Sequence, residues 1–401
     1  MSKPRWITGG VTAPHGFLAS GVSAGIKRSR KPDLALVVSE ELASAAAVLT
    51  RNRVKAAPVV ISAQRLKARR AKAVLLNSGC ANCLTGPDGL RDALALGRQV
   101  AKGLRIPEAQ LLLASTGLIG RRLPVARMGR AVPALVQQLS ASRHREAAQA
   151  ILTTDLVPKE AAIQTRIGGR QCRIGGMAKG AGMIAPSMAT MLCVITSDVS
   201  IGGGLLHQLL RRATELTFNR ITVDGDMSTN DSVFALANGC SGVSIAGGAS
   251  AQRFFAMLCE LCRELAVRIV KDGEGASRTM DVHVIDARTS AEAQACARQV
   301  ANSPLVKTML AGGDPNVGRI AAAAGASPAR FDAERLEIFI GGHRVVARGV
   351  ACRMGTALLR ALLSRPDVEV RINLHAGRAE GRMLTCDLTR EYVRINAGYA
   401  T

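Results

Sequence analysis

Two pairs of adjacent glycines most constrain how this chain can fold. Gly168-Gly169 lies between the β-rich runs Ile163–Arg166 and Gln171–Ile174, and Gly341-Gly342 lies between Leu336–Ile340 and Arg344–Val350. Two-residue connections that need positive φ at both positions suit glycine and match the twist of an antiparallel pair, so each predicts a hairpin. A purely parallel, doubly wound sheet is thereby disfavoured. Elsewhere short β-rich runs alternate with helical ones. Leu34–Val38, Pro58–Ser62, Ala73–Asn77 and Leu111–Ser115 read as strands, and Gly89–Leu104 and Ala126–Leu139 as helices. In the second half Ala251–Lys271 reads as a long amphipathic helix closed by Asp272-Gly273-Glu274-Gly275, with Thr279–Asp286 following as a strand. Asp367–Asn373 and Met383–Asn396 read as two terminal strands that tie the end of the chain into its body. The expected class is mixed α/β (α+β). At 401 residues, 48% of them apolar, the chain exceeds what one hydrophobic core holds, so two lobes are expected.

The net charge of +23 raises the question of nucleic acid. Residues 1–189 hold 29 Lys and Arg against 9 Asp and Glu, and the rest of the chain is close to balanced. The run Arg65-Leu-Lys67-Ala-Arg69-Arg70-Ala-Lys72 could meet phosphates, but aromatics make up only 2% of the chain and leave few platforms for bases. We therefore expect no nucleic-acid partner; the charge reads as a solvated face that also attracts small carboxylates. No apolar run reaches the roughly 18 residues of a membrane span, and Met1-Ser-Lys-Pro-Arg-Trp6 lacks the apolar stretch of a secretory signal. The ten cysteines are irregularly spaced, which reads as reduced, mostly buried thiols and a cytoplasmic setting. Cys80-Ala-Asn-Cys83 and Cys259-Glu-Leu-Cys262 are too far apart in sequence to make a strong zinc signal. Asp224-Gly-Asp226-Met-Ser228-Thr-Asn230 begins like a calcium loop but has Thr229 at its sixth position and Ala235 at its twelfth, so no metal is expected.

The segment Met177-Ala-Lys179-Gly-Ala-Gly182-Met-Ile-Ala-Pro186-Ser-Met-Ala189-Thr190-Met-Leu-Cys-Val-Ile-Thr196 joins a Gly-rich stretch, a proline and an apolar run that reads as buried strand. It places a hydroxyl where loop meets sheet. If the bond before Thr190 breaks, the freed α-amino group lies beside the Thr190 hydroxyl and, with a reference pKa near 7.7 to 8, can serve as its base. Taken alone, a threonine opening a strand is ordinary. The segment does not match the phosphate-binding pattern Gly-x-x-x-x-Gly-Lys-[Ser/Thr] and precedes a strand, which disfavours a nucleotide site.

The run Lys179–Leu192 resembles the autoprocessing motif of the ornithine acetyltransferases, also called glutamate N-acetyltransferases. Further matches are Gly9-Gly-Val-Thr-Ala-Pro14, Asn77-Ser-Gly79 with Ala81-Asn82, Ser115-Thr-Gly-Leu-Ile-Gly120, and Thr153-Thr-Asp155 with Pro158-Lys159. They continue through Asp224-Gly-Asp226 with Ser228-Thr-Asn-Asp231, Asp272-Gly-Glu-Gly-Ala276, Asn302-Ser-Pro-Leu-Val-Lys307, Gly313-Asp-Pro-Asn316 and Tyr392-Val-Arg-Ile-Asn396. The resemblance implies a layered sandwich of the DmpA/ornithine acetyltransferase-like fold, cut between Ala189 and Thr190 into an α chain, residues 1–189, and a β chain, residues 190–401. Two of each would form a heterotetramer. It also implies that Thr190 is the nucleophile and that Thr116 and Gly117 form the oxyanion hole, one through its hydroxyl and the other through its N–H. Thr153, Lys179, Thr190, Glu274, Asn396 and Thr401 match substrate-binding positions, Lys179 suiting a carboxylate and Glu274 an amino group.

The implied reaction is ping-pong. Thr190 takes the acetyl group from N2-acetylornithine, and glutamate collects it, a step of the cyclic route of arginine biosynthesis with no cofactor. Use of acetyl-CoA as a second donor would make the enzyme bifunctional. Four positions depart from the family's usual pattern: Cys80 and Ser187 stand where Asn is typical, Met227 where Thr is, and Val317 where Trp is. The alternative is a self-processing aminopeptidase or amidase of the related hydrolase group, which hands the acyl group to water.

Overall fold

The computed structural model describes residues 4–185 and 191–398. Within them the chain divides into two compact units, one of residues 1–219 with 226–269 and one of residues 220–225 with 270–401. The structure is a mixed α/β fold, and both expected hairpins are present.

The first unit is built on a nine-stranded sheet in the order Arg5–Ile7, Lys159–Ile167, Arg170–Lys179, Leu192–Ser197, Ser232–Ala237, Leu34–Leu49, Arg70–Asn77 and Leu111–Ser115, with Phe17–Val22 paired to Leu34–Leu49. Its central strands are apolar almost without a break because both faces are covered. Alternation sorts the side chains. Leu34, Leu36, Leu75, Leu111 and Leu113 enter one core with Leu96, Val100, Met128 and Leu135 of the helices Gly86–Leu104 and Val125–Gln137. Ala35, Val37, Val74, Leu76 and Leu112, one residue out of phase, enter another with Ala147, Ala148 and Ile151. This period of two is what makes the unit layered.

The expected strand Pro58–Ser62 is instead part of the helix Ala57–Arg65. The β-branched run Val-Val-Ile suggested a strand, but Pro58 sits at the start of the helix, where its missing N–H costs nothing. Val59 and Ile61 are buried, and the Ser62 hydroxyl donates to Leu113 O at 2.7 Å while accepting from Leu113 N at 2.8 Å.

The second unit holds a seven-stranded sheet in the order Ile221–Thr222, Ala379–Cys386, Thr279–Ala287, Asp367–Asn373, Glu337–Ile340, His343–Ala347 and Val350–Ala351. Met280, Val282 and Val284 face a core shared with Cys296, Val300, Met309 and Leu310 of the helices Ser290–Asn302 and Pro304–Gly312. The run Arg344–Val350 is broken by a turn at Arg348-Gly349, both at positive φ, and so forms two strands.

The expected terminal strand Met383–Asn396 is half right: the strand stops at Cys386, and the helix Arg390–Gly398 follows. One buried cation and two backbone N–H groups end it. Lys307 donates to Cys386 O and, at 2.9 Å, to Thr385 Oγ1, while Asp387 accepts from Ser277 N at 2.8 Å and Arg278 N at 3.2 Å. The alternation in Tyr392-Val-Arg-Ile that suggested a strand lies on a helix none of whose residues is buried.

Among the described residues no helix is long and apolar enough to cross a membrane. All ten cysteines are free thiols, eight of them buried.

Candidate active site

Thr116 and Gly117 follow the strand Leu111–Ser115 and are held from three sides of the first unit. Thr116 N donates to Asn77 O at 2.9 Å, and the Ser115 hydroxyl donates to Asn77 Oδ1 at 2.6 Å. Asn230 Nδ2 bridges the neighbouring loop to this one, reaching Ala81 O at 2.7 Å and Ser115 O at 2.8 Å. Asn77, Ser115, Thr116 and Asn230 are all buried, so the loop is fixed by short hydrogen bonds away from water. Gly117 has φ +124°, and a Cβ there would stand 2.4 Å from Gly79 C. Only glycine lets the two loops approach this closely. Under the oxyanion role that the resemblance implies, Gly117→Ala should displace the loop and lower kcat by roughly 10²- to 10³-fold, with a smaller effect on KM; steady-state kinetics on the purified variant measure both.

Cys80, where the resembling family has Asn, is buried in this network. Its carbonyl accepts from Asn77 Nδ2 at 2.9 Å, and its thiol donates to Arg121 O at 3.2 Å. Burial raises the thiol's pKa, so Cys80 packs as a neutral group.

A second cluster of the same unit contains Thr153 and Lys179. The Lys179 ammonium donates to Thr153 Oγ1 at 2.7 Å and lies 3.6 Å from Asp155 Oδ2. Asp155 Oδ1 accepts from Lys159 Nζ at 2.7 Å and from Gly180 N at 2.6 Å. Burial alone would raise Asp155, but the ammonium groups of Lys179 and Lys159 overcome it and hold the carboxyl well below the usual carboxylate range. One carboxylate between two buried lysines leaves net positive charge, the condition for receiving a substrate carboxylate at Lys179 and Thr153. Lys27 adds to it: its stem packs where a Cβ on Gly79 would meet it at 3.2 Å, and it lies within electrostatic reach of Asp155 and Lys179. Burial, only partly offset by Asp33 and Asp155, lowers its pKa to about 8.

In the second unit Glu274 is buried and accepts from Asn396 Nδ2 at 2.8 Å. The helix carrying Asn396 packs so closely on Gly275, φ +69°, that a Cβ there would stand 2.5 Å from Tyr392 N. The structure thus brings together Thr116 with Gly117, Thr153 with Lys179, and Glu274 with Asn396. Ala189, Thr190, Ser187 and Thr401 lie outside the described residues. Sequence reasoning gave no role to Lys27, Asp155, Lys159 or Asn230; all but Lys27 sit inside quoted motifs, which was the signal to find them. No group of three or more His, Cys, Asp or Glu side chains able to hold a metal ion occurs among the described residues. Val317 packs against the core of the second unit, and Met227 O accepts from Asn52 Nδ2 at 3.1 Å.

A rigid hydroxyl-and-amide loop and a buried, net cationic cluster on one α/β unit fit an acyl-transfer enzyme for small carboxylate substrates. Comparison with known proteins gives the family. Residues 18–401 match the ArgJ family. The arginine biosynthesis bifunctional protein ArgJ of Synechocystis sp. is 44% identical over 413 residues, covering 100% of both chains. Its namesake in Symbiobacterium thermophilum is 44% identical over 401 residues, covering 99% of this chain and 100% of that one. Among solved structures, the ornithine acetyltransferase of Mycobacterium tuberculosis complexed with ornithine is 42% identical, covers 47% of this chain and 100% of that one, and has a TM-score of 0.43. The chain belongs to the ArgJ family.

Proposed function

We propose that this chain cuts itself between Ala189 and Thr190 and then, through an acetyl ester on Thr190, moves the acetyl group from N2-acetylornithine to glutamate. The observation that carries this reading is the match to the ArgJ family along residues 18–401, whose relatives are named for arginine biosynthesis. The enzyme is an acetyltransferase. Thr116 Oγ1 and Gly117 N take the oxyanion as the Thr190 hydroxyl attacks the acetyl carbonyl, and the same pair serves the second transfer. Lys179 and Thr153 receive a substrate carboxylate, and Glu274 with Asn396 an amino group. Thr401 completes the binding set. The processed protein assembles from two chains of residues 1–189 and two of residues 190–401, works in the cytoplasm and needs no cofactor. The relatives are named as bifunctional, and acetyl-CoA as a second donor would give this enzyme a second activity.

A transferase must hold its amine acceptor close enough to outrun water, which orientation supplies. Incubated with N2-acetylornithine alone, the processed protein should carry one acetyl group on the fragment that begins Thr190-Met-Leu-Cys, read by mass spectrometry, and turn over little. Adding glutamate should discharge it as N-acetylglutamate, with parallel double-reciprocal plots. Ornithine released equally fast without glutamate would favour the hydrolase reading instead.

A further inference from the structure

The basic run of residues 65–72 leads to an open strand edge in the first unit. The strand Leu34–Leu49 pairs with Arg70–Asn77 only as far as Ser44↔Arg70, so residues 45–49 have no strand partner on that side among the described residues. Ala45 N donates to Arg69 O at 2.9 Å, which fixes the phase. By alternation the N–H and C=O groups of Ala47 and Leu49 point to the same open side, while those of Ala46 and Val48 point to the strand Ser232–Ala237. A cavity of about 440 Å3 lies along this edge, lined by Ala45, Ala47 and Leu49 of the strand and by Ala63 and Leu66 at the end of the helix Ala57–Arg65. Lys67, Arg69 and His207 also line it, and no acidic side chain does. Arg69 is fixed by close packing: a Cβ on Gly203 would stand 2.7 Å from Arg69 Cβ, and one on Gly204 2.7 Å from Arg69 Nη1. His207, on the same helix Gly203–Leu216, has its pKa lowered first by burial and then by the charges of Arg69 and Arg211. Cations therefore crowd one end of the cavity, a condition that an anion relieves.

Three features select the ligand together. An unpaired strand edge takes an amide-bearing chain as it would take an added strand, an alanine-lined groove admits a narrow apolar one, and neighbouring cations hold phosphate. A coenzyme A thioester has these parts in line: an acyl group, a pantetheine arm with two amides, and a pyrophosphate. We propose that this cavity binds acetyl-CoA, with the pantetheine arm along Ala47 and Leu49 and the pyrophosphate on Lys67, Arg69 and His207. The direction follows from the register. Arg69 stands at the Ala45 end, because its carbonyl takes Ala45 N, and so do the phosphates. Leu49, at the other end, is level with Ser232, and Ser232 with Leu192. The acyl end is thereby directed toward the start of the strand Leu192–Ser197, two strands or roughly 10 Å across the sheet.

The proposal rests on acetyl-CoA being a second donor, so binding is measured apart from turnover. Isothermal titration of the full-length protein with coenzyme A should show binding that the double variant Lys67→Gln with Arg69→Gln weakens at least about tenfold. Ala63 is exposed, so Ala63→Trp leaves the fold and every cation in place while filling the groove, and it should weaken binding by at least about as much. With acetyl-CoA and glutamate as substrates, both variants should raise the KM for acetyl-CoA at least about tenfold, while the rate with N2-acetylornithine and glutamate stays within about twofold. No binding to the unsubstituted chain, equal binding by all three proteins, or loss of both reactions together would overturn the proposal. Inorganic pyrophosphate competing as strongly as coenzyme A, or binding that survives Ala63→Trp, would make the cavity a general anion patch and overturn it too. Binding that both variants lose, in a chain that makes no N-acetylglutamate from acetyl-CoA, would uphold the site and remove the donor reading alone.

Discussion

Thr190→Ala is expected to run on a denaturing gel as one uncut chain and to transfer acetyl at least about 10³-fold more slowly, because in the proposed reaction one hydroxyl serves both the cut and the transfer. The unsubstituted chain should give two bands of similar mobility, the second reading Thr-Met-Leu-Cys by Edman sequencing. Thr190→Ser keeps a hydroxyl and should still be cut. An uncut yet fully active wild type would refute both halves of the expectation. The fold adds a structural corollary. Arg170–Lys179 and Leu192–Ser197, on either side of the proposed cut, are hydrogen-bonded neighbours from Lys179↔Leu192 to Ile174↔Ser197. Leu192–Ser197 also pairs along its length with Ser232–Ala237. Breaking the intervening chain therefore leaves the ladder intact, and the two fragments should separate only in denaturant.

What was legible in the sequence follows from the range of the interactions involved. The glycine pairs fixed their hairpins because positive φ is a property of the residue itself: Gly168 and Gly169, at +58° and +81°, join strands paired from Lys159↔Ala178 to Ile167↔Arg170. The helix Ala57–Arg65 was misread because a β-branched run outweighed Pro58, whose preference for a helix start was the better local signal. The terminal strand was overextended because its end is set by Lys307, Ser277 and Arg278, residues 78 to 110 positions away. No local pattern carries that.

The site divides the same way. Thr116 and Gly117 were readable through a motif, but the reason Gly117 must be glycine is Gly79, which only the folded loops bring to it. Several motif residues turn out to hold the scaffold: Asn302 Oδ1 accepts from Thr222 at 2.7 Å, and Lys307 is buried with its pKa lowered by burial. Asp155 escaped notice for the opposite reason. It sits in a quoted motif, yet an acidic residue in a loop is ordinarily solvated, and only burial makes it the fixed partner of two lysines.

Asp155 shows how much such a residue carries. Asp155→Asn keeps the size of the side chain and removes the charge between two lysines whose side chains are 0% and 2% exposed, Lys159 and Lys179. Removing one partner of a buried pair leaves the others uncompensated, which costs about 3–5 kcal/mol, so the variant should unfold at much lower denaturant concentration with its slope unchanged. The pH dependence has a defined sign. The folded-state pKa of Asp155 lies below its ordinary value of 3.8, so the native state binds fewer protons than the unfolded chain as the pH falls past that value. Its stabilisation is complete above that pH and is lost as the pH falls from about 4 through the folded-state value. Between pH 5 and 2 the wild type should therefore lose stability more steeply than Asp155→Asn, which has no carboxyl to protonate there. The two curves should converge at the acid end, as measured by denaturant titration at each pH. Curves that stay parallel would mean that the carboxylate contributes by shape alone, and the net cationic cluster assigned to substrate binding would then need another source of order.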